Sequence, residues 1–223
     1  MTRTTSTRST KESAPAEKKS RRTTSSDSSS TPTKFSGWSS VETLQSGDFA
    51  QEFKVSEKPQ LFRFIETAPV AGYRQHWITR KGKQSFTCVE DDCPLCDDLG
   101  NKPQAKFVFN VGVYVDESWV NKILVTGSRL AKQIKGFNEQ KGTSPINDSK
   151  IYWTISKSGK GTDTTYSLLP QKARDLEDDL DATPADEDEL TGLEDDAYTY
   201  DDVVQFQARS ELQEIADEVA DGD

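Results

Sequence analysis

All three cysteines of the chain fall within nine residues, Cys88-Val-Glu-Asp-Asp-Cys93-Pro-Leu-Cys96, and the single histidine, His76, lies upstream of them. A C-x₂-C spacing lets two sulfurs approach one ion from a tight turn, and a closed structural zinc site needs four such ligands in a tetrahedron. Three cysteines leave one position open. A strand over 73–79 that turns at Lys81-Gly82 into a strand over 85–88 would carry His76 back beside Cys88. The set His76, Cys88, Cys93 and Cys96 then closes around one structural Zn²⁺. Asp91 or Asp92 is an alternative fourth ligand. Buried thiols and a Cys93–Cys96 redox pair are further readings, although redox C-x-x-C motifs normally accompany a βαβ pattern that is absent here. An odd thiol count argues against a disulfide framework and for a reducing compartment.

A second group of residues could bind single-stranded nucleic acid, which asks for flat rings to stack bases and cations to follow phosphates. Residues 35–170 hold 17 of the 20 aromatic residues beside 17 Lys and Arg. Tyr73, Arg74 and Trp77 precede Arg80, Lys81 and Lys83; Tyr152 and Trp153 precede Lys157, Lys160 and Tyr166. Strand alternation places Tyr73 with Gln75 and Trp77, opposite Arg74, His76 and Ile78. It sets Trp153 with Ile151 and Ile155 toward a core and turns Tyr152 outward. No catalytic constellation is present: the chain has no phosphate-binding glycine loop, no nucleophile elbow and no second histidine, so a non-enzymatic protein is expected.

The elements that must position these groups are mostly strands. Leu61–Ile65, Tyr73–Thr79, Ser85–Cys88, Lys106–Val115, Trp119–Thr126, Ile151–Ile155 and Thr164–Leu169 read as strands, the fourth with Phe107, Phe109, Val111, Val113 and Val115 alternating. One helix is expected after Gly127-Ser128, with Leu130, Ile134 and Phe137 on one face. A short helix or turn is expected where Phe35, Trp38, Val41 and Leu44 recur. This order suits a mainly β fold, an OB-type Greek-key barrel with an inserted zinc knuckle and one short helix. An open sandwich fits the same string.

Charge divides the chain further. Residues 1–34 form a basic, Ser/Thr-rich arm with eight cations and three acids, expected to be disordered. Residues 35–172 are the folded zinc-containing domain. Residues 173–223 form an acidic tail, and 171–223 hold twenty acids against three cations. The tail is expected to be largely disordered, with 203–219 helical only on meeting a partner. A flexible polyanion of this kind could fold back on a cationic groove and compete with DNA. No apolar run approaches a membrane span, and the start lacks the apolar stretch of a signal peptide.

The strings Tyr73-Arg-Gln-His76-Trp77, Phe86-Thr-Cys88-x₄-Cys93-Pro-Leu-Cys96, Phe109-Asn110-Val111 and Ile151-Tyr-Trp-Thr-Ile-Ser-Lys-Ser-Gly159-Lys160-Gly161, followed by Thr164-Thr165-Tyr166 and Pro170, resemble the single-stranded DNA-binding proteins of tailed bacteriophages. The resemblance spans about residues 35–175. It implies an OB-fold with a zinc knuckle that coats exposed strands in phage DNA replication, recombination and repair, in the cytoplasm of an infected bacterium. It also implies self-association along DNA through the basic arm and recruitment of replication or recombination proteins by the acidic tail. The competing expectation is a zinc-stabilised adaptor that acts through its tail.

Overall fold

The computed structural model describes residues 50–221; the basic arm and the Phe35–Leu44 element lie outside this range. The chain is mainly antiparallel sheet. Strands β1 (Gln60–Phe64), β2 (Ala71–Trp77), β3 (Ser85–Thr87), β4 (Gln104–Val115), β5 (Ser118–Gly127), β6 (Ile151–Ser158) and β7 (Thr165–Lys172) match the seven sequence-predicted strands. Helix α1 (Pro94–Asp97) follows β3, and α2 (Ser128–Glu139) follows β5. Four more, α3 (Leu176–Leu180), α4 (Glu187–Asp195), α5 (Tyr200–Val203) and α6 (Arg209–Asp221), come from the acidic tail.

Strand β4 is the spine. It pairs along its length with β5 through a two-residue turn at Asp116-Glu117, both at positive φ, as a twisted hairpin of this length favours. Its other edge is shared. Tyr73 of β2 lies opposite Lys106, and Phe62 of β1 lies opposite Val113, so β1 and β2 run end to end along β4. Beyond them β3 pairs with β2, β6 with β1, and β7 with β6. Among the described residues no strand pairing closes this sheet into a barrel.

The period-2 pattern of β4 divides the sheet into two faces. Phe109, Val111 and Val113 point inward with Phe62, Phe64, Trp153, Ile155 and Leu168, and Leu130 and Ile134 of α2 cover them. Trp153 is wholly buried there, its indole N–H donating to the Ile146 carbonyl at 3.0 Å. Val108, Asn110, Gly112 and Tyr114 point to the other, outer face.

That outer face overturns two expectations. The tail is ordered, running along it from β6 to the cysteine loop. Leu176 and Ala182 pack on Leu61 and Tyr152, and Val204 packs on Ala71, Val108 and Ile123. Tyr152 is therefore as buried as Trp153, both 0 % exposed, and does not face solvent. The reason is cover on both faces: alternation turns Tyr152 away from the inner core, but only into a second one. Fully burying a leucine-sized side chain contributes about 1.5–3 kcal/mol, and hydrogen bonds between the sheet and Thr183, Ala185, Leu193 and Tyr198 add to these anchors.

Candidate metal centre and nucleic-acid interface

Hairpin register assembles the cysteine site. His76 of β2 lies opposite Phe86 of β3, and the Cys88 N–H donates to the Arg74 carbonyl at 2.8 Å, which holds the strand end beside β2. The chain then doubles back through Glu90 and Asp92, both left-handed, into α1. Pro94 occupies the first turn of α1, where a missing N–H costs nothing. The N–H groups of Cys96 and Asp97 both donate to the Cys93 carbonyl at 2.9 Å.

The ligand atoms of His76, Cys88, Cys93 and Cys96 all lie within 4.8 Å of one another. Cys88 Sγ is 3.7 Å from Cys96 Sγ, and His76 Nε2 is 3.5 Å from the sulfurs of Cys93 and Cys96. His76, Cys88 and Cys93 are buried and Cys96 is half-buried, an arrangement compatible with one structural metal site. Asp91 and Asp92 are exposed and outside the cluster. Burial raises the Cys88 thiol above its usual value. It also raises Cys96, aided by the neighbouring Cys88 thiol, to about 12. At Cys93 burial acts the same way, but backbone N–H groups of Cys96, Val89 and Leu95 outweigh it and lower the thiol. Three crowded sulfurs cannot all ionise without a cation between them.

Sequence reasoning missed Asn101. Its Oδ1 is 2.9 Å from His76 Nδ1, and its Nδ2 donates to the Trp77 carbonyl at 3.1 Å. With Nδ1–H donating to Asn101, Nε2 presents its lone pair to the sulfurs, the outer partner that a metal-binding histidine usually has.

The candidate nucleic-acid residues are not gathered into one groove. Trp77 is 60 % exposed; Arg74 is exposed on the opposite face of β2, Lys81 is exposed on the following turn, Lys83 Nζ stands 5.5 Å from the centre of the Phe86 ring, and Arg80 pairs with Glu218 of α6. Tyr73 is half-buried, and burial together with Glu52 raises its phenol. Lys157 and Tyr166 face each other across β6 and β7, with Lys160 on the connecting turn, all exposed. Gln75 lies opposite Gln104 and Phe62 opposite Val113. The two groups are therefore separated by at least roughly 30 Å along β4 at ~3.3 Å per residue. Strand parity also places Trp77 on the outer face and Lys157 with Tyr166 on the inner side. Tyr152 and Trp153, fully enclosed, offer no ring to a base in this conformation.

Searches among protein-family models, curated proteins and solved structures find nothing that matches this chain. No helix among the described residues is long and apolar enough to cross a membrane.

Proposed function

We propose that the protein binds single-stranded DNA with little sequence preference, on a sheet of OB type whose knuckle is held by one structural zinc ion. The observation that carries the reading is Trp77, a large ring left 60 % exposed on the outer face, with exposed Lys81 and Lys83 on the turn that follows its strand. Its strand is pinned through His76, the residue beside it. A ring and cations on a rigid support suit base stacking and phosphate tracking without sequence readout.

The knuckle's geometry supports zinc. A tetrahedron with zinc–sulfur arms of about 2.3 Å and a zinc–nitrogen arm of about 2.0–2.1 Å has S···S edges of about 3.8 Å and S···N edges of about 3.5 Å. Here Cys88–Cys96 is 3.7 Å and His76 stands 3.5 Å from both Cys93 and Cys96, while all six separations lie within 4.8 Å. His76, Cys88, Cys93 and Cys96 would hold the ion, which would supply no chemistry beyond a crosslink, because four protein ligands leave no open position. On this reading the protein is not an enzyme. On the sequence resemblance to tailed-phage proteins, it would coat strands during replication, recombination and repair in the host cytoplasm. Replication or recombination proteins would meet the tail, and further copies would meet the basic arm.

Fluorescence anisotropy of the full chain with labelled single-stranded and duplex oligonucleotides tests the reading. Binding should favour the single strand, and log K against log[salt] should fall by roughly 0.7 per phosphate neutralised. Binding to neither, even in dilute salt, would contradict it and favour the adaptor acting through the tail.

A further inference from the structure

One row across the outer face carries polar groups left unsatisfied by what covers them. Gly112 of β4 lies opposite Arg63 of β1 and Asn121 of β5. Phe62 opposite Trp153 puts Tyr152 next to Arg63 in the same row. Arg63 is only 4 % exposed. Its Nη2 donates to the Asn147 carbonyl at 3.1 Å and its guanidinium stands 5.6 Å from the centre of the Tyr152 ring. Its Nη1, however, has no hydrogen-bond partner among the described residues, and neither has Asn121 Oδ1. Burying an uncompensated charged group is among the costlier things a fold does.

Leu193 of α4 covers this row. A Cβ on Gly112 would lie 2.7 Å from Leu193 Cδ1 and 3.4 Å from Arg63 Cγ, so the missing side chain makes the dent that Leu193 fills. One step along the sheet, Tyr114 and Trp119 face each other with ring centres 5.1 Å apart, and Trp119 stands 5.2 Å from Tyr152. Their polar ends bond to the tail backbone. Trp119 Nε1 donates to the Thr183 carbonyl, while Tyr114 Oη and Tyr152 Oη accept from the N–H groups of Thr183 and Ala185. Asn121 Nδ2 donates to the Leu193 carbonyl, and Asn110 donates to the Tyr198 carbonyl and accepts from the Tyr198 N–H.

We propose that Arg63, with the rings of Tyr114, Trp119 and Tyr152, forms a second strand-binding subsite beneath the tail, taking a phosphate at Arg63 and bases on the rings. The inference rests on the single-stranded DNA reading and adds both a location and a lid. The lid is held by apolar packing and by hydrogen bonds between neutral groups rather than by charge. Among the described residues, Glu218 is the one tail carboxylate paired with a cation of the sheet and knuckle. None pairs with Arg63, so the tail's charge is not what holds it there. A cleft of about 940 Å³ follows the seam between β5 and α4, bordered by Trp119, Asn121 and Leu193, where the lid can part from the sheet.

The test uses the full chain with Leu193→Ser and Val204→Ser together, which loosen the lid without altering its charge. Thermal melting and metal content serve as folding controls. Apparent affinity of a covered site is reduced by the open fraction, so single-stranded DNA should bind about tenfold tighter after loosening. The tightening should be equal at low and physiological salt. Adding Arg63→Gln should then lower the salt slope by roughly 0.7, the loss of one phosphate contact, while Arg63→Lys should keep it. A structural role alone would not move that slope. If the wild-type chain binds single strands but neither loosening nor Arg63→Gln changes affinity or slope, the subsite is refuted and the single-strand reading stands. If neither chain binds, the reading itself fails and the subsite with it.

Discussion

Removing the metal from the intact chain is expected to free the knuckle and the C-terminal helix together, while the inner core of the sheet persists. Leu212, Ile215 and Ala216 of α6 pack directly against Cys88, Cys93, Leu95, Ile78 and Phe86, in a cluster separate from the inner core. Residues 88–103 hold one four-residue helix and little other regular structure. Few regular hydrogen bonds hold these residues, so the four ligands are their main tie, and a structural zinc site contributes about 10–16 kcal/mol at neutral pH. The exposed links, Arg209 to Asp92 and Gln213 to Asp98, add little. Hydrogen exchange read by mass spectrometry, before and after chelation to zero metal content, should show lost protection over 78–103 and 205–221. Protection over β4 and β6 should be retained. Unchanged protection of α6 in metal-free protein, or collapse of the entire sheet with the knuckle, would refute this division.

Three further outcomes follow from the same geometry. Trp77→Ala should weaken single-stranded DNA binding by about 1–3 kcal/mol with an unchanged melting temperature, because the ring is mostly in solvent; anisotropy and calorimetry check the pair. Tyr152→Phe removes the hydroxyl that accepts from Ala185 N–H and should cost about 0.5–1.5 kcal/mol, seen as faster exchange around 182–186. Metal affinity should rise with pH: Cys88 is raised and Cys96 lies near 12, so at neutral pH both are protonated in the free site and must release protons to bind. Titration calorimetry in buffers of different ionisation enthalpy should reveal that release, and an affinity independent of pH would contradict it.

The strands and the knuckle were readable in the sequence because their signals are local. The Lys81-Gly82 turn was enough to return His76 to Cys88, and the alternation of Phe107 to Val113 defined the inner face. Of the tail only the end was readable: most of the amphipathic 203–219 stretch is helix α6, and what it meets is the chain's own knuckle. The tail's anchors Leu176, Ala182, Leu193 and Val204 stand singly among carboxylates, with neither helical nor strand period, and each finds its site only once the sheet exists. One signal for cover was present in β5, where Trp119, Val120, Ile123, Leu124 and Val125 are apolar on both parities, the mark of a strand buried on two faces. Reading β6 as one-sided turned Tyr152 to solvent for the same reason. Arg63 gave no cue either, since an arginine within Leu61–Ile65 reads as the polar side of an edge strand.

Ultraviolet crosslinking of the full chain to a homopolymeric single-stranded oligonucleotide, with adducts located by mass spectrometry, tests most directly whether unpaired bases meet this sheet. Adducts at Trp77, joined by Trp119 or Tyr114 when Leu193 and Val204 are replaced by serine, are the predicted result. Efficient crosslinking confined to residues off the outer face, or no adduct despite an intact metal centre, would contradict the account.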